Sequence, residues 1–280
     1  VWPIACPPRT HALDRTPTGL LAAQYPKPTS RRLISTMPDK IRIGSITDLG
    51  NGVRINLLRS DSAPTPETFL SKSELEKFAS FKIEKRRRDW LGGRYAAKTL
   101  LKEALYLQVP LSAIEITYDL SGRPVWIYGK VQRLLSITHS GPFCAAACGA
   151  AGTMFLGIDL EKAEPRANAW YQDYFYKEEL MSNAAVRQQA STAGSKKADI
   201  DVPLSTIQRA TLLWTQKEAL LKALGLGLKA DLLDVNLEGD APKFSRAALK
   251  RYEELGSPSF SLATFAPEPG WVLSIARTRQ

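Results

Sequence analysis

The segment "GIDLEK" (157–162) closes an apolar run with two carboxylates at strand spacing, Asp159 and Glu161. Side chains alternate faces along a strand, so the two acids share one face, while Met154, Leu156, Ile158 and Leu160 make an apolar wall on the other. Paired carboxylates suit a hard divalent cation that keeps water or phosphate oxygens as its other ligands. A half-exposed strand carrying two solvated acids is the competing reading. A third acid, Glu218, lies in "WTQKEALLKALG", where Lys222 follows at i,i+4 on the same helical face. A surface ion pair has that spacing too. Trp214, one turn earlier on that face, is an odd neighbour for a solvated pair, and Leu213, Leu220 and Leu224 form a separate apolar stripe. "SITHSG" ends a strand with Thr138, His139, Ser140 and Gly141, several donors for a phosphate or an ordinary turn. The basic tract 85–88, with Arg94 and Lys98 beyond it, is either a solvated helix face or an anion site. Gly92 and Gly93 cost that helix about 1 kcal/mol each, which points to close approach of a backbone or a ligand.

The elements that must hold these side chains fall into two similar halves. In the first, "GVRINLLRS" alternates like a strand, and "SKSELEKFASF" has capping-box spacing, Ser71 with Glu74. A longer helix, "KRRRDWLGGRYAAKTLLKEALYL", stripes Trp90, Ala97, Leu101 and Leu105. A hairpin turns at "DLSGRP", and "LLSITHSGPFCAAACGAAGTMFLGIDLE" reads as two strands joined through 149–152. The second half repeats the plan: a short helix "YKEELMS", a long one "RATLLWTQKEALLKALG", and strands at "DVNLE", "FSLATF" and "WVLSIA". The expectation is an α+β fold of two pseudo-duplicated lobes, 40–150 and 151–280, each a small antiparallel sheet packed with a long helix, with any site at their seam. The polar, aperiodic segment 183–206 reads as a mobile surface loop. Residues 1–39 read as a disordered leader. Their first 36 residues are rich in Pro, Thr and Arg and hold one acid, Asp14, so they are either an organelle-targeting peptide or, the reading adopted here, sequence ahead of a start at Met37.

A chain of 280 residues with 44% hydrophobic and 24% charged content can bury a real core. No apolar run approaches the ~20 residues of a membrane-spanning helix, and three irregularly spaced cysteines make neither a disulfide framework nor a zinc site. A reducing, cytoplasmic location is expected. The formal charge of +10 calls for an acidic partner.

Taken together, the motifs resemble the 4′-phosphopantetheinyl transferases, specifically the two-lobed surfactin-synthetase type. "GIDLE" is similar to the family's Gly-(Ile/Val)-Asp-(Ile/Leu)-Glu. "WTQKEALLKALGLGL" is similar to its Trp-(Ser/Thr)-x-Lys-Glu-(Ala/Ser)-x-x-Lys-x-x-Gly-x-Gly-(Leu/Phe). "SITHSG" resembles the Ser-x-Ser-His-Ser segment, with Thr138 where the family has serine, and "GRPVW" resembles the Gly-(Lys/Arg)-Pro turn. The likeness runs from about residue 41 to the C-terminus; the leading 36 residues match nothing in the family, and the 183–206 segment is longer than the family's minimum. Length and internal repeat set the chain apart from the single-lobed holo-synthases, which build their sites between subunits.

The resemblance implies transfer of phosphopantetheine from coenzyme A to a serine of a carrier protein, with Mg²⁺ (Mn²⁺ as an alternative) held by Asp159, Glu161 and Glu218. It implies that Lys222 neutralises the diphosphate and that Glu179, in "FYKEE", is the general base, although a surface glutamate beside Glu178 would look the same. It gives Arg88 to the coenzyme's 3′-phosphate, Thr138 and His139 to other phosphate contacts, and Lys77 and Arg123 as further contacts. The partners would be apo acyl, peptidyl or polyketide-synthase carriers, met by a monomer with no nucleic acid or membrane. A basic nucleic-acid-binding module explains the charge but not three acids at these spacings. A degenerate scaffold of the same fold would not need all of the acids and the lysine.

Overall fold

The computed structural model describes residues 40–128, 131–150, 153–181 and 205–278, within one compact unit, Ser35–Gln280. The predicted leader 1–39 and residues 183–204 of the predicted loop lie outside the described residues.

Strands β1 (Ser45–Asp48) and β2 (Arg54–Arg59) lead into α1 (Lys72–Ala79). There the Ser71 hydroxyl accepts the Glu74 N–H, and the Glu74 carboxylate accepts the Ser71 N–H. The long helix α2 (Glu84–Ala104) follows, then β3 (Ile116–Tyr118), β4 (Pro124–Tyr128), β5 (Val131–Ser140) and β6 (Phe143–Cys148). The first half ends in a six-stranded antiparallel sheet of order β1-β2-β6-β5-β4-β3.

The second half opens with β7 (Leu156–Lys162), then α3 (Asn168–Tyr174), α4 (Lys177–Met181) and the long α5 (Thr206–Ala223). It closes with β8 (Val235–Asn236), β9 (Lys243–Phe244), α6 (Arg246–Glu254), β10 (Phe260–Phe265) and β11 (Trp271–Thr278). Its main sheet has the order β10-β11-β7. The fragment β2-β6-β5 and the sheet β7-β11-β10 share one plan: β2 and β7 each pair with the last strand of their half, which pairs with the one before it.

Two features differ from the sequence reading. The stretch 134–161 holds three strands, because Gly141 at φ +51° turns the chain between β5 and β6. Met154 lies ahead of β7 and is exposed, so the apolar wall is Leu156, Ile158 and Leu160 alone. These three meet Ile55, Leu57, Ala145, Leu273 and Ile275 in a core between the two sheets. Each leucine or isoleucine there contributes about 1.5–3 kcal/mol through burial.

The long helices cover the outer faces. α2 packs Ala97, Leu100 and Leu101 on Leu135 and Ala146, and α5, with Leu224 just past its end, packs Leu220 and Leu221 near Ala276. The costly glycines of α2 lie on its own sheet: a Cβ on Gly93 would stand 2.8 Å from Ile137, and one on Gly92 3.3 Å from the Ser60 backbone. On β7 the approach is closer still, since a Cβ on Gly157 would fall 1.9 Å from the Ala219 carbonyl oxygen of α5. Glycine there lets α5 lie directly over the strand that carries the acids.

Candidate active site

Asp159 and Glu161 project from β7 toward α5 and the edge of β5. Asp159 Oδ1 accepts from Thr138 Oγ1 at 2.9 Å and from Lys222 Nζ at 2.6 Å. Glu161 Oε2 accepts from Ser140 Oγ at 3.1 Å, and Arg166 Nη2 lies 3.7 Å from the same oxygen. Glu218, on α5 one turn before Lys222, is buried beside them. Asp159 Oδ2 and Glu218 Oε1 are buried and have no hydrogen-bond partner among the described residues. A bare buried oxygen costs about 1–3 kcal/mol, so the site is held ready at the expense of stability.

The charges are strongly interdependent. Burial, then the neighbouring Asp159 charge, holds Glu161 above the ordinary carboxylate range. Burial lifts Glu218 as well; Lys222 opposes the shift, while Asp159 and Glu161 add to it. Burial by itself would depress Lys222, but Asp159, Glu218 and Glu161 outweigh it and keep the ammonium above the usual lysine value. Its side chain is 26% exposed, so the cation is firmly charged yet open to one side.

Beside this floor opens a cleft of about 1070 Å³ whose walls include Arg59, Lys85, His139, Glu161 and Arg166. His139 alternates with Thr138 along β5 and so faces away from it, toward α2, with Nδ1 3.5 Å from Asp89 Oδ2. Partial burial lowers the His139 pKa, with Asp89 opposing. Arg88 is exposed and lines a smaller pocket of about 250 Å³ with Ser60 and Asp61, which shares Gly141 and Pro142 with the cleft. A third hollow, on the far side of Glu161, has Arg166, Trp170, Thr211 and Trp214 in its walls, the two indoles stacked 5.1 Å apart. Cys144 and Cys148 are buried thiols pushed up to about 12 and about 11, first by burial, so neither is a nucleophile.

Other expected site residues lie elsewhere. Glu179 does not reach the cleft. Its Oε2 accepts from Lys217 Nζ at 2.8 Å and from Tyr176 N–H at 2.9 Å, and its Oε1 accepts from Leu237 N–H at 2.8 Å. Both side chains of the Glu179–Lys217 pair are 0% exposed. A general base must come within hydrogen-bond reach of the proton it takes, and in this structure the Glu179 carboxylate is sealed and already bonded, so the base role expected of it would need this pair to open. Lys77 is exposed on α1, with its ammonium over the Phe81 ring. Arg123 is bound to Asp119 at 2.8 Å and to the Met154 carbonyl at 3.1 Å in the β3–β4 turn. Arg94 and Lys98 leave the basic tract for the interior, where both meet Glu74.

Sequence reasoning missed the partners. The motif pattern gives Lys217 no partner, nothing in the sequence singles out Arg166, and Ser140 reads as a donor to a phosphate rather than to Glu161. The alternation Ser136, Thr138, Ser140 was the available signal, because it puts three hydroxyls on one strand face.

The three acids supply oxygen donors alone, and two of those oxygens are bare and buried, which is the donor chemistry a hard divalent cation takes. No three metal-ligating side chains stand ready-gathered as a cage among the described residues. Lys222 occupies Asp159 as the local counter-charge. Among the described residues, no helix is long and apolar enough to cross a membrane.

Carboxylates, a lysine and a basic-walled cleft thus come together at the seam of a duplicated α+β fold. Residues 155–276 match the family model of the 4′-phosphopantetheinyl transferase superfamily. The chain is 37% identical over 97 residues to a holo-acyl-carrier-protein synthase of Staphylococcus carnosus, covering 33% of this chain and 83% of that protein. It is 34% identical over 87 residues to the Bacillus subtilis holo-acyl-carrier-protein synthase, covering 29% and 71%. Among solved structures, the Thermotoga maritima holo-acyl-carrier-protein synthase is similar at 22% identity and a TM-score of 0.31, covering 47% of this chain and 76% of that one. The Plasmodium yoelii holo-ACP-synthase follows at 19% and 0.29, covering 36% and 95%. The chain belongs to the 4′-phosphopantetheinyl transferase superfamily and is an enzyme of that class.

Proposed function

We propose that this protein transfers 4′-phosphopantetheine from coenzyme A to a serine of an apo carrier protein and releases adenosine 3′,5′-bisphosphate, acting as a two-lobed monomer. The serine oxygen forms the new bond to the pantetheine-side phosphorus. The bridging P–O bond breaks, its electron pair leaves on the nucleotide, and the serine proton passes to a carboxylate. Such a displacement needs positioning and charge neutralisation more than covalent help from the protein. The observation that carries the reading is the acid–lysine floor beside a basic-walled cleft in a chain of this family.

In this reading Asp159, Glu161 and Glu218 would hold Mg²⁺ or Mn²⁺, which supplies positive charge against the diphosphate. Lys222, charged and partly open, binds the same diphosphate. His139 and the neighbouring Arg88 pocket receive phosphate groups at the cleft's edge. Lys77, on the adjoining α1 surface, adds to the attraction of the anionic coenzyme, and Arg123 holds the β3–β4 turn. Of the three acids, Glu161 is the one in the cleft wall, so it is the carboxylate available to an incoming serine, while Glu179 locks α5 from inside. The net charge of +10 suits an acidic carrier, and that attraction weakens as salt rises.

The test is mass spectrometry of apo acyl, peptidyl and polyketide carriers incubated with the protein, coenzyme A and Mg²⁺. The expected result is a gain of one phosphopantetheine group, lost with EDTA and in Glu218→Ala. No gain on any carrier together with no coenzyme A binding would overturn the reading.

A further inference from the structure

The donors around the acid pair are unevenly shared. Asp159 takes both of its bonds, from Thr138 and Lys222, on Oδ1 and leaves Oδ2 bare. Glu161 takes Ser140 and Arg166 on Oε2 alone. Thr138 and Ser140 alternate on β5 at the same spacing as Asp159 and Glu161 on β7, so each hydroxyl meets one carboxylate. Ser136, the third hydroxyl on that face, does something different: its Oγ accepts the Ile158 N–H at 2.9 Å and so ties backbone to strand.

Glu161 has the longer side chain and is repelled by Asp159, so without a donor it would turn toward the open cleft. Arg166 can hold it only by bringing a competing positive charge. Ser140 holds it with a neutral hydroxyl from a rigid strand. Groups that orient a metal ligand in this way commonly change metal affinity by about 10–100-fold when removed.

We propose that Ser140 is a positioning residue for Glu161: its hydroxyl, beside that of Thr138, fixes the acid pair with one oxygen of each unbonded, as the preset half of a divalent-cation site. This rests on the cation-assisted reading above but is read out without the transfer reaction. Mn²⁺ binding to the full chain, measured by calorimetry with no coenzyme A or carrier present, is compared for wild type, Ser140→Ala, Ser140→Thr and Ser136→Ala. Ser140→Ala is expected to weaken Mn²⁺ about tenfold, and Ser140→Thr, which keeps the hydroxyl, to restore it. Ser136→Ala loosens the same seam and is expected to lower thermal stability while leaving Mn²⁺ affinity unchanged. In transfer assays Ser140→Ala should raise the Mn²⁺ needed for half-maximal rate and recover its kcat at saturating Mn²⁺. Wild-type Mn²⁺ affinity in Ser140→Ala, equal weakening in Ser136→Ala, or no Mn²⁺ binding by the wild type would each overturn the proposal. Intact Mn²⁺ binding with no transfer to any carrier would count against the proposed function and leave the positioning role standing.

Discussion

The first half of the chain places Glu74 beneath Lys98 much as the second places Glu179 beneath Lys217. Each glutamate sits in the first turn of a short helix and accepts the backbone N–H three residues earlier, from Ser71 in one and Tyr176 in the other. Each lysine comes from the long helix and also donates to the carbonyl five residues before its glutamate, Phe69 at 2.8 Å and Tyr174 at 3.3 Å. The second carboxylate oxygen takes a backbone N–H in both, from Ile116 and from Leu237. Burial depresses both lysines, and in each case the paired glutamate opposes it.

The halves part company one residue along the long helix. After Lys98 comes Thr99, facing Asn56 of β2, and the two side chains bond each other at 2.8 Å. After Lys217 comes Glu218, beside Asp159 of β7, with bare oxygens on both. One scaffold therefore supports a satisfied neutral pair in one place and an unsatisfied acidic one in the other. The lock is common to both halves; the unsatisfied acids belong to one half, and in the proposed function they carry the chemistry.

Erasing that difference should have the largest effect. Asp159→Asn with Glu218→Thr copies the first half onto the second, and transfer to a carrier should fall about 10³–10⁴-fold while urea unfolding shows no loss of stability. A rate within tenfold of wild type would mean that the contrast between halves is not the source of activity. Next come the locks. Glu74→Gln and Glu179→Gln each strand a buried lysine and should each cost about 3–5 kcal/mol, read from urea midpoints. If Glu179 acted in chemistry as well, its variant would lose rate per folded molecule where the Glu74 variant does not.

Gly157→Ala presses on the α5 backbone and should cost about 1–3 kcal/mol by overpacking, and it should weaken Mn²⁺ as Glu218 is pushed from Asp159. The smallest effect is a pH dependence. Glu161 and Glu218 keep their protons in the fold to a higher pH than the 4.5 of the unfolded chain. Between that value and their folded pKa the unfolded state has released protons that the native state still holds, so cation-free stability falls as pH rises through this window. His139 works the other way: its folded pKa lies below 6.5, so its contribution is lost as pH falls through that range. Subtracting the Glu218→Gln unfolding curve from that of the wild type isolates the acid part, which should shrink when Mn²⁺ is added.

How much was legible follows the reach of each interaction. The helix start at Ser71 is decided by atoms within a few residues, as is the turn at 119–123, where Asp119 accepts from Ser121 and Arg123. The shared face of Asp159 and Glu161 follows from strand geometry alone. β1, α3 and α6 escaped the reading because they are short and borrow their stability from what they pack on. The pairing of Glu179 with Lys217 escaped it because a glutamate beside another on a five-residue helix looks solvated until a lysine on a distant helix covers it. Arg94 and Lys98 looked like the end of a surface tract for the same reason.

By itself the sequence determined which groups are acidic, which are cationic, and which share a face of a strand or a helix, because those depend on composition and on periods of two and 3.6 residues. Only the tertiary structure decided which charges meet. The Lys217–Glu179 pair became a sealed lock and the Lys222–Asp159 pair a half-open site because one side of α5 faces the interior and the other faces the seam with β5. Water reaches only the second.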